Sequence, residues 1–302
     1  MPLYIFNPEH DLCLANGDRN FVPPASALDF ARTGRDVMRI IYGDEAHVIV
    51  ADDYALWRGM NPDVVVDGIV PWGWDLRLKQ TLLKQGVDNA LLPDDRILAN
   101  LRALQHRSTV LPLQPHATQA ASLDEVRSIL KENTRIVAKA PWSGAGRGVR
   151  WIDGELSDHD EQWLSRIINT QGSVIVERRL DVVYDFAIES RVENGNLVQL
   201  GYSLFKTQSG VYRYNVLLFD EEIKRTVRMS DEMEQFISRW LEENIAPFYN
   251  GVVGVDMLHC SDGTNNVSEI NLRHTMGLVA HEFLRQHPDC HGRQFTGKRS
   301  EF

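Results

Sequence analysis

The residues of this chain best suited to metal and phosphate chemistry lie in two strand-like runs, Gly251–Leu258 and Asn266–Leu272, joined by Ser261-Asp262-Gly263-Thr264. An Asp-Gly pair between alternating apolar residues favours a two-residue type I′ hairpin turn. Centring the turn between Asp262 and Gly263 sets Asp256 opposite Glu269 and Gly254 opposite Asn271. Period-two alternation then brings Asp256, Glu269 and Asn271 to one face. Carboxylates opposed at ~4.5–5.5 Å repel unless a cation lies between them. A divalent metal answers that repulsion. All three side chains are hard oxygen donors, and so small a set leaves phosphate oxygens and water to complete the shell, as at magnesium–nucleotide sites. The alternative is plain strand decoration with one carboxylate in solvent, because a one-residue slip sends Glu269 to the other face.

A second constellation is Val137-Ala-Lys139-Ala-Pro-Trp-Ser143-Gly144-Ala-Gly146-Arg147-Gly148. Lys139 sits inside an apolar strand, which is costly unless an anion pairs with it. The glycines that follow let backbone amides approach a phosphate closely. The spacing satisfies neither GxxxxGK[ST] nor GxGxxG, so a P-loop and a Rossmann fingerprint are both absent, and a simple turn remains the other reading.

Other polar residues carry less. Along Val183–Val192 the apolar Tyr184, Phe186, Ile188 and Val192 alternate with Asp185, Glu189 and Arg191, and a solvated face is expected for Glu189 and Arg191. Arg213 and Asn215 share a strand face, which makes Arg213 a candidate for a substrate carboxylate or phosphate. His10, Asp11, Asn16 and Arg19 follow the first strand, where ligands of open α/β sheets bind, and are candidates for acceptor recognition, although a capped turn explains them equally. Trp72-Gly-Trp74-Asp75 reads as packing and a helix cap, and His274 and His281 as structural.

These groups need elements to position them. Leu3–Phe6, Val37–Tyr42, His47–Ala51 and Val64–Val66 read as strands alternating with helices at Ser26–Thr33, Asp75–Gln85 and Asp95–Gln105, the rhythm of a small parallel α/β unit. The aperiodic, Pro-punctuated Leu111–Thr118 marks a junction, giving an N-terminal α/β domain over 1–115 and a second domain over 116–302. In the latter, 116–175 carries the glycine-rich loop, 176–290 the metal site, and 287–302 reads as a polar tail. Ser122 opens a capped helix, Asn194-Gly195 turns a hairpin, and antiparallel strands dominate after Ser173.

At 302 residues with 43% hydrophobic content, the chain is long enough for two domains and is neither disordered nor fibrous. A formal charge of −10 argues against a general nucleic-acid partner. Three scattered cysteines signal no disulfide framework or zinc site, and no stretch approaches a membrane span, so a cytoplasmic protein without a membrane partner is expected.

Taken in order, VAKAPWSGAGRGV, VIVERRLDVVYDF, GVVGVDMLHC and SEINLRHTMG resemble the ATP-grasp superfamily over about Leu123–Gln286. The resemblance implies an ATP-grasp fold, α/β overall and α+β in the C-terminal part, behind a small parallel α/β domain. It implies that Lys139 contacts the nucleotide phosphates and that Ser143, Gly144, Gly146 and Gly148 belong to the loop closing over them. Glu177 would accept from the adenine amine, backbone groups of Arg178 and Leu180 would complete the readout, and Asp185 would hold the ribose. Asp256, Glu269 and Asn271 would bind two Mg2+, with Mn2+ a possible substitute, and Arg273 would sit beside the γ-phosphate. Gly254 stands where D-alanine ligases carry an arginine, which leaves that role to Arg273 or Arg213; Arg102 or Arg107 stands in for the lysine of the early helix. The implied chemistry is ATP-dependent activation of a carboxylate as an acyl phosphate and its coupling to an amine, with small-molecule carboxylates and amines as partners and the oligomeric state open. A metabolite kinase of the same fold and a nucleotide-binding module without turnover are the alternatives.

Overall fold

The computed structural model describes residues 1–144 and 148–297. The first element group comprises β1 (Pro2–Ile5), α1 (His10–Asn16), α2 (Ala25–Gly34), α3 (Val37–Tyr42), β2 (Val48–Ile49), α4 (Tyr54–Met60), β3 (Gly68–Pro71), α5 (Leu76–Lys84) and α6 (Asp95–Leu104). Its three strands are parallel in the order β2-β1-β3. The expected parallel unit is therefore present, with two corrections. Val37–Tyr42 is helical: an apolar run this short has no periodicity to separate the two states, and packing of α3 against the last long helix of the chain decides it. Val64–Val66 lies outside the sheet, whose third strand begins at Gly68 opposite Pro2.

A 3-10 segment, Arg107–Leu113, leads into β4 (Ala117–Ala120), α7 (Leu123–Glu132), β5 (Arg135–Lys139), β6 (Val149–Asp153), α8 (Asp158–Gln171) and β7 (Val174–Arg178). These strands form an antiparallel sheet ordered β4-β7-β5-β6, whose apolar face is covered by α7 and α8. Ser122 caps α7 by accepting from the Glu125 amide.

The remainder is a six-stranded sheet, β12-β11-β8-β9-β10-β13. It is built from β8 (Val182–Glu193), β9 (Asn196–Gln208), β10 (Val211–Val216), β11 (Gly251–Cys260), β12 (Asn265–Asn271) and β13 (Gln294–Phe295), with α9 (Asp220–Thr226), α10 (Asp231–Asn244) and α11 (Met276–Gln286). The largest core packs α9 and α10 against one face of this sheet. The segment read as a polar tail returns instead as edge strand β13, because Phe295 is buried and stacks on Phe283 at 5.0 Å. A further cluster joins the first sheet to the third: Phe6, Met38 and Trp72 meet Val279, Phe283 and Phe295. Among the described residues no helix is long and apolar enough to cross a membrane.

The β11–β12 hairpin reaches the expected pairing by a different route. The turn holds three residues, Ser261 to Gly263, with Gly263 in the left-handed region and Cys260 donating its amide to Thr264. That offset alone would slip Glu269 out of register. A bulge corrects it: Met257 pairs with Val267, Ser268 is extra, and Asp256 pairs with Glu269. Buried Gln114 holds the bulge by donating its amide to the Val267 and Ser268 carbonyls at 2.8 and 2.7 Å.

Candidate active site

The three sheets enclose a cavity of about 530 Å³. Lys139, Glu177, Arg178, Leu180, Asp185, Asp256, Glu269, Asn271 and Arg273 all line it. Lys139 ends β5 with only 7% of its surface exposed. Its Nζ lies 2.6 Å from Glu177 Oε1 and donates to Ser268 Oγ at 3.0 Å. Antiparallel pairing of β5 with β7 makes this contact, since Val137 faces Glu177. The Glu177 carboxylate is thus engaged by the lysine through Oε1, and the Arg178 amide donates to the His116 carbonyl.

The acidic hairpin residues converge. Asp256 and Glu269 are directly paired across β11 and β12, and Asn271 Nδ2 donates to Asp256 Oδ2 at 3.2 Å, which leaves the Asn271 carbonyl oxygen to ligate. Burial pushes the Asp256 carboxyl well above the ordinary range, and the charges of Glu269 and Glu189 push it further, against the pull of Arg273. Among the described residues no three His, Cys, Asp or Glu side chains are grouped to share a metal. The third donor here is an amide. Two opposed carboxylates that repel in the absence of a cation, with one amide oxygen, fit a hard divalent ion such as Mg2+.

Two arginines stand by this acidic pair. Arg107 is buried, forms an ion pair with Glu269, and reaches Ser143 Oγ at 2.7 Å and the Ser143 carbonyl at 3.1 Å. Of the two stand-ins for the family's early lysine, Arg107 is the one at the site; Arg102 donates to the Leu14 carbonyl and lies over Trp142. Arg273 grips Asp11 with Nε and Nη2 at 2.9 and 3.0 Å. Burial opposes charge on Asp11, yet the Arg273 guanidinium holds its carboxyl below the usual range. Of the acceptor candidates after β1, Asp11 lines the cavity, while His10 is fully buried against Asp75.

Ser143 lines a small adjoining cavity with Arg107 rather than the main one. Gly144 lies so close to Asp11 that a Cβ would meet Oδ2 at 2.0 Å, and a Cβ on Gly148 would meet Ser143 Oγ at 2.2 Å. Gly146 lies outside the described residues. Arg213 is corrected: register shifts between Tyr212 and Tyr214, and Arg213 is left exposed and away from the cavity, while Asn215 lines it.

Glu189 overturns the expectation of a solvated face. It is fully buried, lines the cavity, and accepts from Ser203 Oγ at 3.0 Å and Thr275 Oγ1 at 2.8 Å. The alternation had set it with Asp185 on the face opposite the apolar residues, but a sheet with both faces covered hides either set. Asp185 accepts from Thr207 Oγ1 at 3.0 Å, and burial raises its carboxyl above the usual range. Ser268 also belongs to the site, and no local signal in the sequence marks the bulge that turns it toward Lys139.

No family model matches the sequence, and no curated protein matches it. Solved structures do. An N5-carboxyaminoimidazole synthetase from Staphylococcus aureus complexed with ADP superposes with a TM-score of 0.51 at 13% identity, covering 91% of this chain and 70% of its own. A biotin carboxylase from Campylobacter jejuni in complex with an ATP ligand gives 0.55 at 12% identity, covering 93% and 67%. The biotin carboxylase domain of Hydrogenobacter thermophilus 2-oxoglutarate carboxylase, solved with MgADP and bicarbonate, gives 0.54 at 13%, covering 93% and 68%. With three sheets disposed in this way around one cleft, the chain has the ATP-grasp fold.

Proposed function

We propose that this protein is an ATP- and magnesium-dependent carboxylate–amine ligase. The observation that carries the reading is the convergence in one cleft of buried Lys139, the Asp256–Glu269–Asn271 oxygen set, and Arg107 and Arg273 beside it. The comparison structures that share the fold were solved with ADP, ATP or MgADP. Magnesium, held by Asp256, Glu269 and Asn271, would supply charge neutralisation to the triphosphate.

The chain's own residues do the rest. Lys139 and Arg107 exchange their internal carboxylates for phosphate oxygens and offset charge building on the departing ADP. A substrate carboxylate oxygen attacks the γ-phosphorus, the β–γ bridging P–O bond breaks, and its electron pair leaves with ADP. The amine nitrogen then attacks the acyl carbon, the C–O bond to phosphate breaks, and phosphate and a proton leave as the C–N bond forms. Arg273, released from Asp11, steadies the oxyanion of that tetrahedral intermediate.

The test is trapping. With Mg·ATP, hydroxylamine and a panel of carboxylic acids, a hydroxamate should form in step with ADP and phosphate, and only when an acid is present. A stable phosphorylated acceptor with no hydroxamate would instead identify a kinase, and tight ATP binding without any turnover would identify a binding module.

A further inference from the structure

Beyond the nucleotide and metal groups, the cleft continues against the first sheet, where its wall changes character. Phe6 follows β1, Trp72 follows β3 and Phe30 lies on α2, and all three line the cavity together with Met276 at the start of α11. Phe6 meets Trp72 edge-on at 5.1 Å and 86°, and Phe30 at 6.2 Å and 59°. The two inner rings are buried, whereas Phe30 is 56% exposed at the edge of the same cavity. Contiguous rings, two fixed and one presented to the cavity, form a preorganised apolar surface.

Charge on this wall is as informative. Among the described residues the cations lining the cavity are Arg107, Lys139, Arg178, Lys206 and Arg273. The first two belong to the phosphate side. Arg178 ends β7, and Lys206 sits 4.9 Å over the Tyr184 ring, close enough to Asp185 to act on its carboxyl. Arg273 is tied to this side of the cleft, since the amide of the next residue, His274, donates to the Trp72 carbonyl, and Asp11 already holds its guanidinium in a two-point pair. The N-terminus of α11 also points here, but buried Glu189 lies beneath it: Thr275, its cap, donates to Glu189, and a Cβ on Gly277 would meet Glu189 Oε1 at 2.1 Å. A second anion would meet that carboxylate.

We infer that the acid activated in this cleft is an unphosphorylated hydrophobic carboxylic acid, its one carboxylate displacing Asp11 from Arg273 and its apolar body packed on the wall of Phe6, Phe30 and Trp72. The inference rests on the ligase reading for which group reacts, but the surface itself can be tested without turnover.

Titration calorimetry on the full chain would use 3-phenylpropanoate, octanoate, acetate and 3-phosphoglycerate, with Mg·ATP measured separately. The hydrophobic acids should bind at least tenfold more tightly than acetate, and 3-phosphoglycerate no more tightly than acetate. Phe30→Ala removes an exposed side chain from outside the nucleotide site; it should weaken 3-phenylpropanoate at least fivefold and leave the acetate and Mg·ATP constants within twofold. Binding of 3-phosphoglycerate that matches or exceeds the hydrophobic acids, absence of binding by both of those acids, or unchanged affinity in Phe30→Ala would overturn the assignment. Failure of the wild-type chain to bind Mg·ATP would sink the ligase reading alone.

Discussion

Asp256 is the residue at which charge and fold conflict most directly. Its carboxyl is raised by burial first and by Glu269 and Glu189 after that. A carboxyl whose folded value exceeds its unfolded one contributes stability below the unfolded value and loses it as pH rises through the folded one. At neutral pH the metal-free chain therefore carries the cost of this buried acid, whether as charge or as proton uptake, and Asp256→Asn removes it. The variant should melt about 2 °C higher than wild type at pH 7 without metal, consistent with ~1 kcal/mol in a chain of this size, and should show no such gain near pH 4. Mg2+ should no longer tighten nucleotide binding to it. Scanning calorimetry at both pH values and nucleotide titrations with and without Mg2+ check these outcomes; an Asp256→Asn chain that still needs Mg2+ for tight nucleotide binding would remove this residue from the metal site.

At the scale of elements, α11 is set by what its first turn can approach. Gly277 lies against the Glu189–Ser203 pair, and an added Cβ would come within 2.1 Å of Glu189 Oε1 and 2.2 Å of Ser203 Oγ. Both neighbours are buried and hydrogen-bonded, so neither can give way cheaply. Gly277→Ala should cost on the order of 1–3 kcal/mol, read as a lower urea midpoint with an unchanged slope. A solvent-facing glycine such as Gly154, which has no atom within 4 Å of its would-be Cβ, gives the comparison for crowding alone, although its positive φ adds strain of its own. Equal midpoints for Gly277→Ala and wild type would mean that Glu189 does not anchor the helix.

At the scale of the molecule, His274 links the first sheet's layer to the third. Its Nε2 lies 2.6 Å from Tyr42 Oη and its Nδ1 3.1 Å from the Trp72 carbonyl. Burial pushes the imidazole down to about 4. With a folded value below the unfolded value of about 6.5, the unfolded chain binds more protons between the two, so this contribution is intact above pH 6.5 and is lost as pH falls toward 4. The loss amounts to about 3 kcal/mol when complete. Glu9 works in the opposite sense: burial raises it to about 7, so its contribution is lost as pH rises toward that value. Urea denaturation of wild type and His274→Gln from pH 7 to 4 separates the two, because only the histidine term disappears in the variant. The stability advantage of wild type should shrink steadily across that range; a constant difference would show that His274 does not titrate on unfolding.

Much of this was legible in one dimension. The parallel unit, the capped α7, the Asn194-Gly195 hairpin, the strand that carries Lys139 and the acidic hairpin all follow from local periodicity and turn chemistry, which act over a few residues. Even the Asp256–Glu269 pairing follows from the Asp-Gly turn, though the turn is of three residues rather than two and the Ser268 bulge makes up the difference. That compensation depends on Gln114, more than 150 residues away in the chain, and no local pattern could announce it. The same holds for the helix at Val37–Tyr42, for Arg213 turned out to solvent, and for Glu189 sealed under α11. Composition and alternation determine which residues share a strand face; whether that face meets water, a ligand or another layer is decided only when distant elements pack, since burial is a property of the assembled layers and not of the strand.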